Sequence, residues 1–186
     1  IYTCRPPQSR AAGHITIKWF YDDVIELSRK DRKMLGRAPY DAKEYMAGIG
    51  VKALTGEKGY TTLERVGIRP CLDVNGIWGG YIGEGSKTVI PSEAHAKISM
   101  RLVPNQDSKT IAKLFAKHFK AIAPKGVTVE VEEKHGGDGF LIPISSKAYK
   151  AASKAMGEVY GIDPVPSRGG GSIAILAEMQ RALEAD

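Results

Sequence analysis

The sequence predicts an α+β fold in which an antiparallel sheet is covered by helices on one face. Between residues 94 and 102, apolar and polar residues alternate. Such alternation is typical of a strand with one buried and one solvated face. Between residues 111 and 122, apolar residues recur at helical spacing. That pattern predicts a helix that packs one apolar stripe against the sheet.

The chain before residue 71 carries weaker patterns. Residues 1–13 give no clear signal, and residues 57–70 are expected to form a loop or a broken strand. A short strand is predicted over 14–20. A helix over 21–35 follows, with Asp22 as its N-cap. A second helix, over 41–54, begins at Asp41, and Glu44 three residues later completes a start that resembles a capping box.

From residue 71 the patterns become stronger. The predicted order is strand, strand, helix, strand, over residues 71–78, about 88–103, 107–122 and 127–133. Leu72, Val74 and Trp78 are expected on one face of the first of these strands, and Asp107 or Ser108 is expected to cap the helix. Antiparallel strands with helices on one face indicate a four-stranded sheet of ferredoxin-like type.

Glycine and proline become frequent after residue 134. The segment HGGDGFLIP, residues 135–143, is expected to cross over to a helix that begins at Ser145 or Ser146 and stops at Gly161. The segment SRGGGS, residues 167–172, opens a last helix that ends near residue 183.

The composition is that of an ordinary soluble globular protein, with 42% hydrophobic and 26% charged residues. The 27 Lys and Arg residues exceed the 21 Asp and Glu residues, and the net charge of +6 permits nucleic-acid binding without indicating it. Neither a signal peptide nor a membrane span is visible in the sequence. Cys4 and Cys71 form no metal motif and no disulfide framework, which favours a reducing, cytoplasmic location.

Three features could bind a ligand, although none forms a complete catalytic site. Arg101 is expected near a strand end on the solvated face. It is either an ordinary surface arginine or a residue whose guanidinium binds a carboxylate through two hydrogen bonds. His135 is expected on a turn before two glycines, where a histidine is usually just exposed. The glycines of residues 167–172 could bring backbone N–H groups close to an anion or could only shape a helix entry. The four histidines show no metal-ligand spacing.

Several motifs together resemble a known family. In chain order they are GIWGGYIGEGSKTVIP, the strand ending in MRLVPN, HGG and SRGGGSI. This combination is similar to the di-zinc metallopeptidases of the carnosinase and bacterial dipeptidase type. Glutamate carboxypeptidases and acylamino-acid deacylases are relatives of these enzymes. The resemblance covers roughly residues 15–180.

The resemblance implies two parts. A lid, or dimerisation, domain would occupy residues 1–137, with 1–13 unassigned, and a catalytic-domain segment would occupy residues 138–186. Such a lid carries a four-stranded sheet with two helices and commonly forms a homodimer. The catalytic domain binds two zinc ions, and the substrate is a dipeptide or an acylated amino acid.

The resemblance also implies roles for five residues. Arg101 matches an arginine that binds the substrate's terminal carboxylate. Thr88 matches a lid residue that reaches the partner subunit's active site. His135, Gly171 and Ser172 match residues that contact substrate near the metals.

The chain also departs from the family pattern. The zinc ligands and the general base of such enzymes match nothing in this sequence, so no catalytic or metal-binding residue is expected here. Ala174 stands where the family usually has proline after GGSI, and Lys18 and Trp19 stand where Pro-Gly is usual. The expectation is a piece of a larger hydrolase that is inactive by itself.

Two other classes of function remain open at this stage. A ferredoxin-like sheet with a basic charge could bind RNA, but the polar strand face shows no aromatic pair for stacking bases, so a nucleic-acid partner is not expected. The chain could also act only as an oligomerisation module.

Overall fold

The computed structural model describes residues 13–169 and 173–184. Six helices and two strands lie in this part of the chain. In order they are α1 Arg29–Leu35, α2 Ala42–Gly48, α3 Thr62–Gly67, β1 Cys71–Gly79, β2 Ala94–Arg101, α4 Ser108–Ala121, α5 Lys147–Tyr160 and α6 Ala174–Leu183. No helix in the described residues is both long and apolar enough to cross a membrane.

Local sequence signals account for several helix ends. The Asp41 carboxylate accepts the N–H groups of Lys43 and Glu44, each at 2.8 Å, at the start of α2. Asp107 accepts the Thr110 N–H at 2.7 Å and caps α4. Helix α5 is capped by Ser146 and ends at Gly161, whose φ of 69° suits the left-handed conformation that glycine adopts without strain. These capping predictions are confirmed.

Strands β1 and β2 form an antiparallel hairpin, with Cys71 opposite Arg101 at one end and Gly79 opposite Ala94 at the other. A bulge at residue 75 interrupts the register. Because an extra residue reverses the alternation of faces, Trp78 lies opposite His95 and not on the face of Leu72. The prediction that Trp78 shares a face with Leu72 and Val74 is therefore wrong.

At its Cys71–Arg101 end, the hairpin packs one face against helix α4 and the N-terminal segment. Leu72 on β1 and Ile111 on α4 belong to a buried cluster with Ile17 and Phe20. Residues packed around this cluster are Ile15, Tyr21, Ile98, Met100, Leu102, Leu114 and Phe115. The predicted buried face of β2 and the apolar stripe of α4 therefore meet at Ile98, Met100 and Leu102. Ala94 and Ala96, which were expected on the same buried face, are exposed.

The predicted strand over 14–20 is instead a series of turns, in which the Phe20 N–H donates to the Ile17 carbonyl at 3.2 Å. This geometry places both side chains, three residues apart, in the core, which an extended strand would not do. The predicted helix over 21–35 begins only at Arg29, with Ser28 rather than Asp22 as its N-cap. Helix α2 ends at Gly48, short of the predicted residue 54.

Two further predictions differ from the structure. Residues 62–67, expected to be loop or broken strand, form helix α3, whose capping box joins Thr61 and Glu64. Residues 127–133 form no strand, and the sheet has two strands in the described residues, not four. A strand forms only where a neighbour pairs its backbone groups, and an alternating pattern does not supply that neighbour.

Gln106 joins the N-terminal segment to the turn after β2. It is 1% exposed, its Oε1 accepts the Val103 N–H at 3.1 Å, and its Nε2 donates to the Phe20 carbonyl at 2.8 Å. We expect Gln106→Ala to lower the free energy of unfolding by about 2–4 kcal/mol, because it leaves two buried backbone groups without partners. Urea denaturation measures this, and a loss no larger than that of the exposed-site control Lys113→Ala would contradict it.

The ionisation of the Glu64 carboxyl group makes the free energy of unfolding depend on pH. Hydrogen bonds from the Arg32 guanidinium, at 2.5 and 2.9 Å, and from Thr61 lower the pKa of Glu64 to about 2, although burial opposes the shift. The unfolded value is about 4.3, so this stabilisation is present above that pH and is lost as pH falls towards 2. We expect unfolding free energy to drop between about pH 5 and 2, and to drop less in Glu64→Gln. The control is Glu130→Gln at an exposed site; an equal pH slope in the two variants would contradict the assignment.

Candidate functional site

The hairpin places Arg101 at one end of a polar sheet face. This face, opposite the core, carries Cys71, Asp73 and Trp78 from β1 and His95, Lys97, Ser99 and Arg101 from β2. Arg101 is exposed and is the last residue of β2, as the sequence predicts for its strand position. A guanidinium there is accessible to a ligand that approaches this end of the hairpin.

The segment that carries His135 packs against the turn that follows Arg101. The Ser108 N–H donates to Asp138 Oδ1 at 3.0 Å. A Cβ added at Gly139 would lie 2.6 Å from the Pro104 nitrogen, so the two backbones are in close contact. His135 itself is exposed, as expected for a turn residue. The structure therefore brings the HGG segment to the same end of the hairpin as Arg101.

The described part of the SRGGGS segment also lies near this end of the hairpin. A Cβ added at Gly67, the last residue of α3, would lie 2.3 Å from the Arg168 carbonyl oxygen. Gly67 precedes Cys71, the residue opposite Arg101, by only four positions. Gly171 and Ser172 lie outside the described residues, and their predicted contacts are not placed.

Thr88 lies away from the other candidates. It is exposed in the loop over 80–93 that joins β1 to β2. The nine residues of β1 place this loop about 26 Å from the Arg101 end, at 3.3 Å per residue. Thr88 and Arg101 therefore stand at opposite ends of one hairpin.

The electrostatics at the Arg101 end exclude a reactive cysteine. Burial and, to a smaller extent, the nearby Asp73 carboxylate together raise the pKa of Cys71 to about 11, while Arg101 opposes the shift. Cys71 Sγ lies 3.4 Å from Asp73 Oδ2. At neutral pH the side chain is a protonated thiol, which is a poor nucleophile.

Two features of the site were missed by the sequence reasoning. Trp78 stacks on His95 with ring centroids 5.1 Å apart, and Lys97 Nζ lies 5.8 Å from the Trp78 ring. The glycine at position 76 inside a strand pattern was a usable sign of the bulge that turns Trp78 to this face. Asp138 carried no recognisable signal, because its partners lie 30 and 43 residues away in sequence.

The described residues do not form a metal site. Within 13–169 and 173–184, no group of three or more His, Cys, Asp or Glu side chains could hold a metal ion. A guanidinium such as that of Arg101 has the hydrogen-bonding geometry that suits a carboxylate, and the neighbouring Cys71 thiol is not an activated nucleophile.

Comparison with known proteins identifies the relatives of this arrangement. The model of the peptidase dimerisation domain of the M20 family matches residues 29–127. A Cys-Gly metallodipeptidase of Saccharomyces cerevisiae is 32% identical over 92% of this chain and 36% of its own length. The chain thus spans about a third of the curated relatives that it matches.

Solved structures give the same result. An M20 family metallo-carboxypeptidase from Sulfolobus solfataricus superposes with a TM-score of 0.78 at 29% identity, over 92% of this chain and 39% of the other. Human carnosine dipeptidase 1 superposes with a TM-score of 0.76 at 27% identity, over 93% of this chain and 37% of the other. The match to the family model covers more than half of the sequence, and the chain therefore belongs to the M20 family of peptidases through its dimerisation domain.

Proposed function

We propose that this chain supplies the dimerisation domain, residues 1–137, and a catalytic-domain segment, residues 138–186, of a zinc-dependent dipeptidase-like hydrolase. The observation that supports this most is the convergence of three segments at one end of the hairpin. They are the end of β2 with Arg101, the turn with His135, and residues 167–169. The candidate substrate-binding residues Gly171 and Ser172 follow this last segment in sequence and lie outside the described residues.

Arg101 would bind the terminal carboxylate of the substrate. A planar guanidinium can donate two parallel hydrogen bonds to a carboxylate, which fixes its orientation as well as its position. The strand backbone holds the arginine in place through its pairing with Cys71. His135 and the glycine segment would then contact the remainder of the substrate.

Thr88 would act in a second copy of the chain. Its distance from Arg101 along one hairpin suits a role in the partner's site rather than in its own. The loop around it exposes apolar side chains, with Ile82 84% and Ile90 97% exposed. Apolar exposure of this kind favours an interface, and the family model is that of a dimerisation domain. The proposed assembly is a homodimer in the cytoplasm.

Zinc would be bound by residues other than those described here. The described side chains do not fit a metal site. Two zinc ions belong to the proposal through the family resemblance alone. The four-stranded sheet also belongs to the proposal, with residues 127–133 pairing once a neighbouring strand is supplied.

A carboxypeptidase is the second candidate. Its support is the superposition on the metallo-carboxypeptidase of Sulfolobus solfataricus. A carboxylate-binding arginine suits either enzyme, because dipeptides and longer peptides both end in a carboxylate. Comparing hydrolysis of a dipeptide with that of an N-blocked peptide distinguishes the two, and an acylated amino acid tests the deacylase alternative.

The first test removes the proposed carboxylate contact. In the protein that carries this chain with the rest of the catalytic domain, we expect Arg101→Ala to raise KM for a dipeptide roughly ten- to hundredfold with a smaller change in kcat, because charge-assisted hydrogen bonds worth about 1.5–3 kcal/mol are lost. Lys97→Ala, on the same face, is the matched control. An unchanged KM in Arg101→Ala would refute the assignment. The 186-residue chain alone is expected to show no zinc-dependent hydrolysis.

The second test concerns the dimer. Light scattering after size exclusion should give the purified chain twice its monomer mass. Ile90→Asp should raise the dimer dissociation constant at least about tenfold, because burying an isoleucine contributes about 1.5–3 kcal/mol. Ile162→Asp, at a position 76% exposed outside the loop, is the control. A dimer that weakens equally in both variants would place the interface elsewhere.

A further inference from the structure

Asp138 lies where separate segments of the proposed site meet. Its Oδ1 accepts the Ser108 N–H at 3.0 Å, and its Oδ2 lies 3.3 Å from Arg181 Nη1. Ser108 is the first residue of α4, and Arg181 lies in α6. The Asp138 side chain is 26% exposed, whereas that of Arg181 is 60% exposed. One partly buried carboxylate therefore joins two helices that are distant in sequence.

Each joined segment is adjacent to a candidate substrate-binding residue. Arg101 ends β2 seven positions before Ser108, and His135 precedes Asp138 by three positions. Helix α6 begins at Ala174, directly after the glycine segment. Through Ser108 and Arg181, Asp138 therefore connects the segment after His135 to the start of α4 and to the last turn of α6.

Close backbone packing holds the same segment from the other side. A Cβ added at Gly139 would lie 2.6 Å from the Pro104 nitrogen and from the Val103 carbonyl carbon. A Cβ added at Gly136 would lie 3.1 Å from Ser108 Cβ. The backbone can follow this path without a shift only with glycine at position 139, and Gly136 leaves little room for a larger residue. Its route past the end of β2 is therefore fixed by packing as well as by the carboxylate.

The charge of Asp138 suits both partners. A carboxylate at the N-terminal end of a helix interacts favourably with the helix dipole, and its hydrogen bond to a backbone N–H is charge-assisted. Asp107 satisfies a different N–H of α4, that of Thr110, so the two acids do not duplicate each other. Asparagine could accept the Ser108 N–H but carries no charge to attract Arg181.

We infer that Asp138 is a positioning residue of the proposed substrate site. It sets the His135 turn and α6 against the Arg101 end of the hairpin and does not itself touch substrate. This inference rests on the proposed function, because that function assigns the substrate contacts to Arg101 and His135. Its structural part can nevertheless be tested in the chain alone.

The structural test is amide hydrogen exchange at Ser108 in the purified chain, measured by NMR. Asp138→Ala should speed this exchange about tenfold, because the acceptor is removed, whereas Asp138→Asn should retain most of the protection. Glu178→Gln is the matched control, since it removes only the neighbouring pair of Arg181 with Glu178, at 2.9 Å. Unchanged Ser108 exchange in Asp138→Ala would overturn the inference.

The functional test uses the protein that carries this chain together with the rest of the catalytic domain. Asp138→Ala should lower kcat/KM for a dipeptide roughly ten- to hundredfold, because small displacements of binding groups strongly reduce turnover. Arg181→Gln should lower it less, and Arg181→Lys, which keeps the charge, should restore it. Gly139→Ala displaces the same segment by steric contact and should lower kcat/KM in the same direction. Melting temperatures are measured for every variant.

The outcomes separate this inference from the proposed function. If the wild-type protein hydrolyses no dipeptide, acylated amino acid or longer peptide, the proposed function fails, while Ser108 exchange still tests the link between the segments. If the wild type is active and Asp138→Ala is equally active, the positioning role is overturned. If Asp138→Ala loses activity only in proportion to lost folded protein and Gly139→Ala is fully active, the role is structural and the inference is likewise overturned.

Discussion

The pairing of β1 with β2 is the constraint on which the rest of the structure depends. It gives the hairpin one apolar face, which packs on Ile111 and Phe20, and one polar face that ends at Arg101. Since side chains alternate strictly along a strand, a shift of one residue would exchange the two faces. The bulge at residue 75 makes such a shift locally and adds Trp78 to the polar face without disturbing the core end of the hairpin. The register of the hairpin therefore determines both which residues enter the core and which residues lie at the candidate site.

Ion pairs around the buried side chain of Arg69 join the N-terminal segment to the residues just before this hairpin. Arg69, whose side chain is 5% exposed, binds Glu57 through two hydrogen bonds of 2.8 Å and Glu26 through one of 2.7 Å. Burial alone would raise the pKa of Glu57, but hydrogen bonds from Arg69 and His14 outweigh it and lower the pKa. The Arg69 guanidinium also lies over the Tyr60 ring at 4.4 Å. A charge this buried needs a paired carboxylate, and Arg69 stands two residues before β1.

The candidate site is assembled from pieces that are short by themselves. Arg101 belongs to a strand, His135 to a turn and the glycine segment to a helix entry, and none of the three is distinctive alone. Their convergence depends on contacts that involve little side-chain bulk, such as the approach of Gly139 to Pro104 and of Gly67 to Arg168. This explains why a carboxylate such as Asp138, which bridges two of the pieces, can matter more to the site than its own exposure suggests.

The sequence by itself determined the elements whose signals are local. The alternation along β2, the stripe on α4 and the caps Asp41, Asp107 and Ser146 each act within a few residues. The ordered combination of four motifs, from the glycine-rich segment before Thr88 to SRGGGSI, indicated the family. The tertiary structure alone decided the rest. The turns at 14–20 follow from the need to bury Ile17 and Phe20 together, and residues 127–133 remain outside the sheet because an alternating pattern cannot supply a paired neighbour. Asp138 could not be foreseen for the same physical reason, because its partners Ser108 and Arg181 approach it only once the chain has folded.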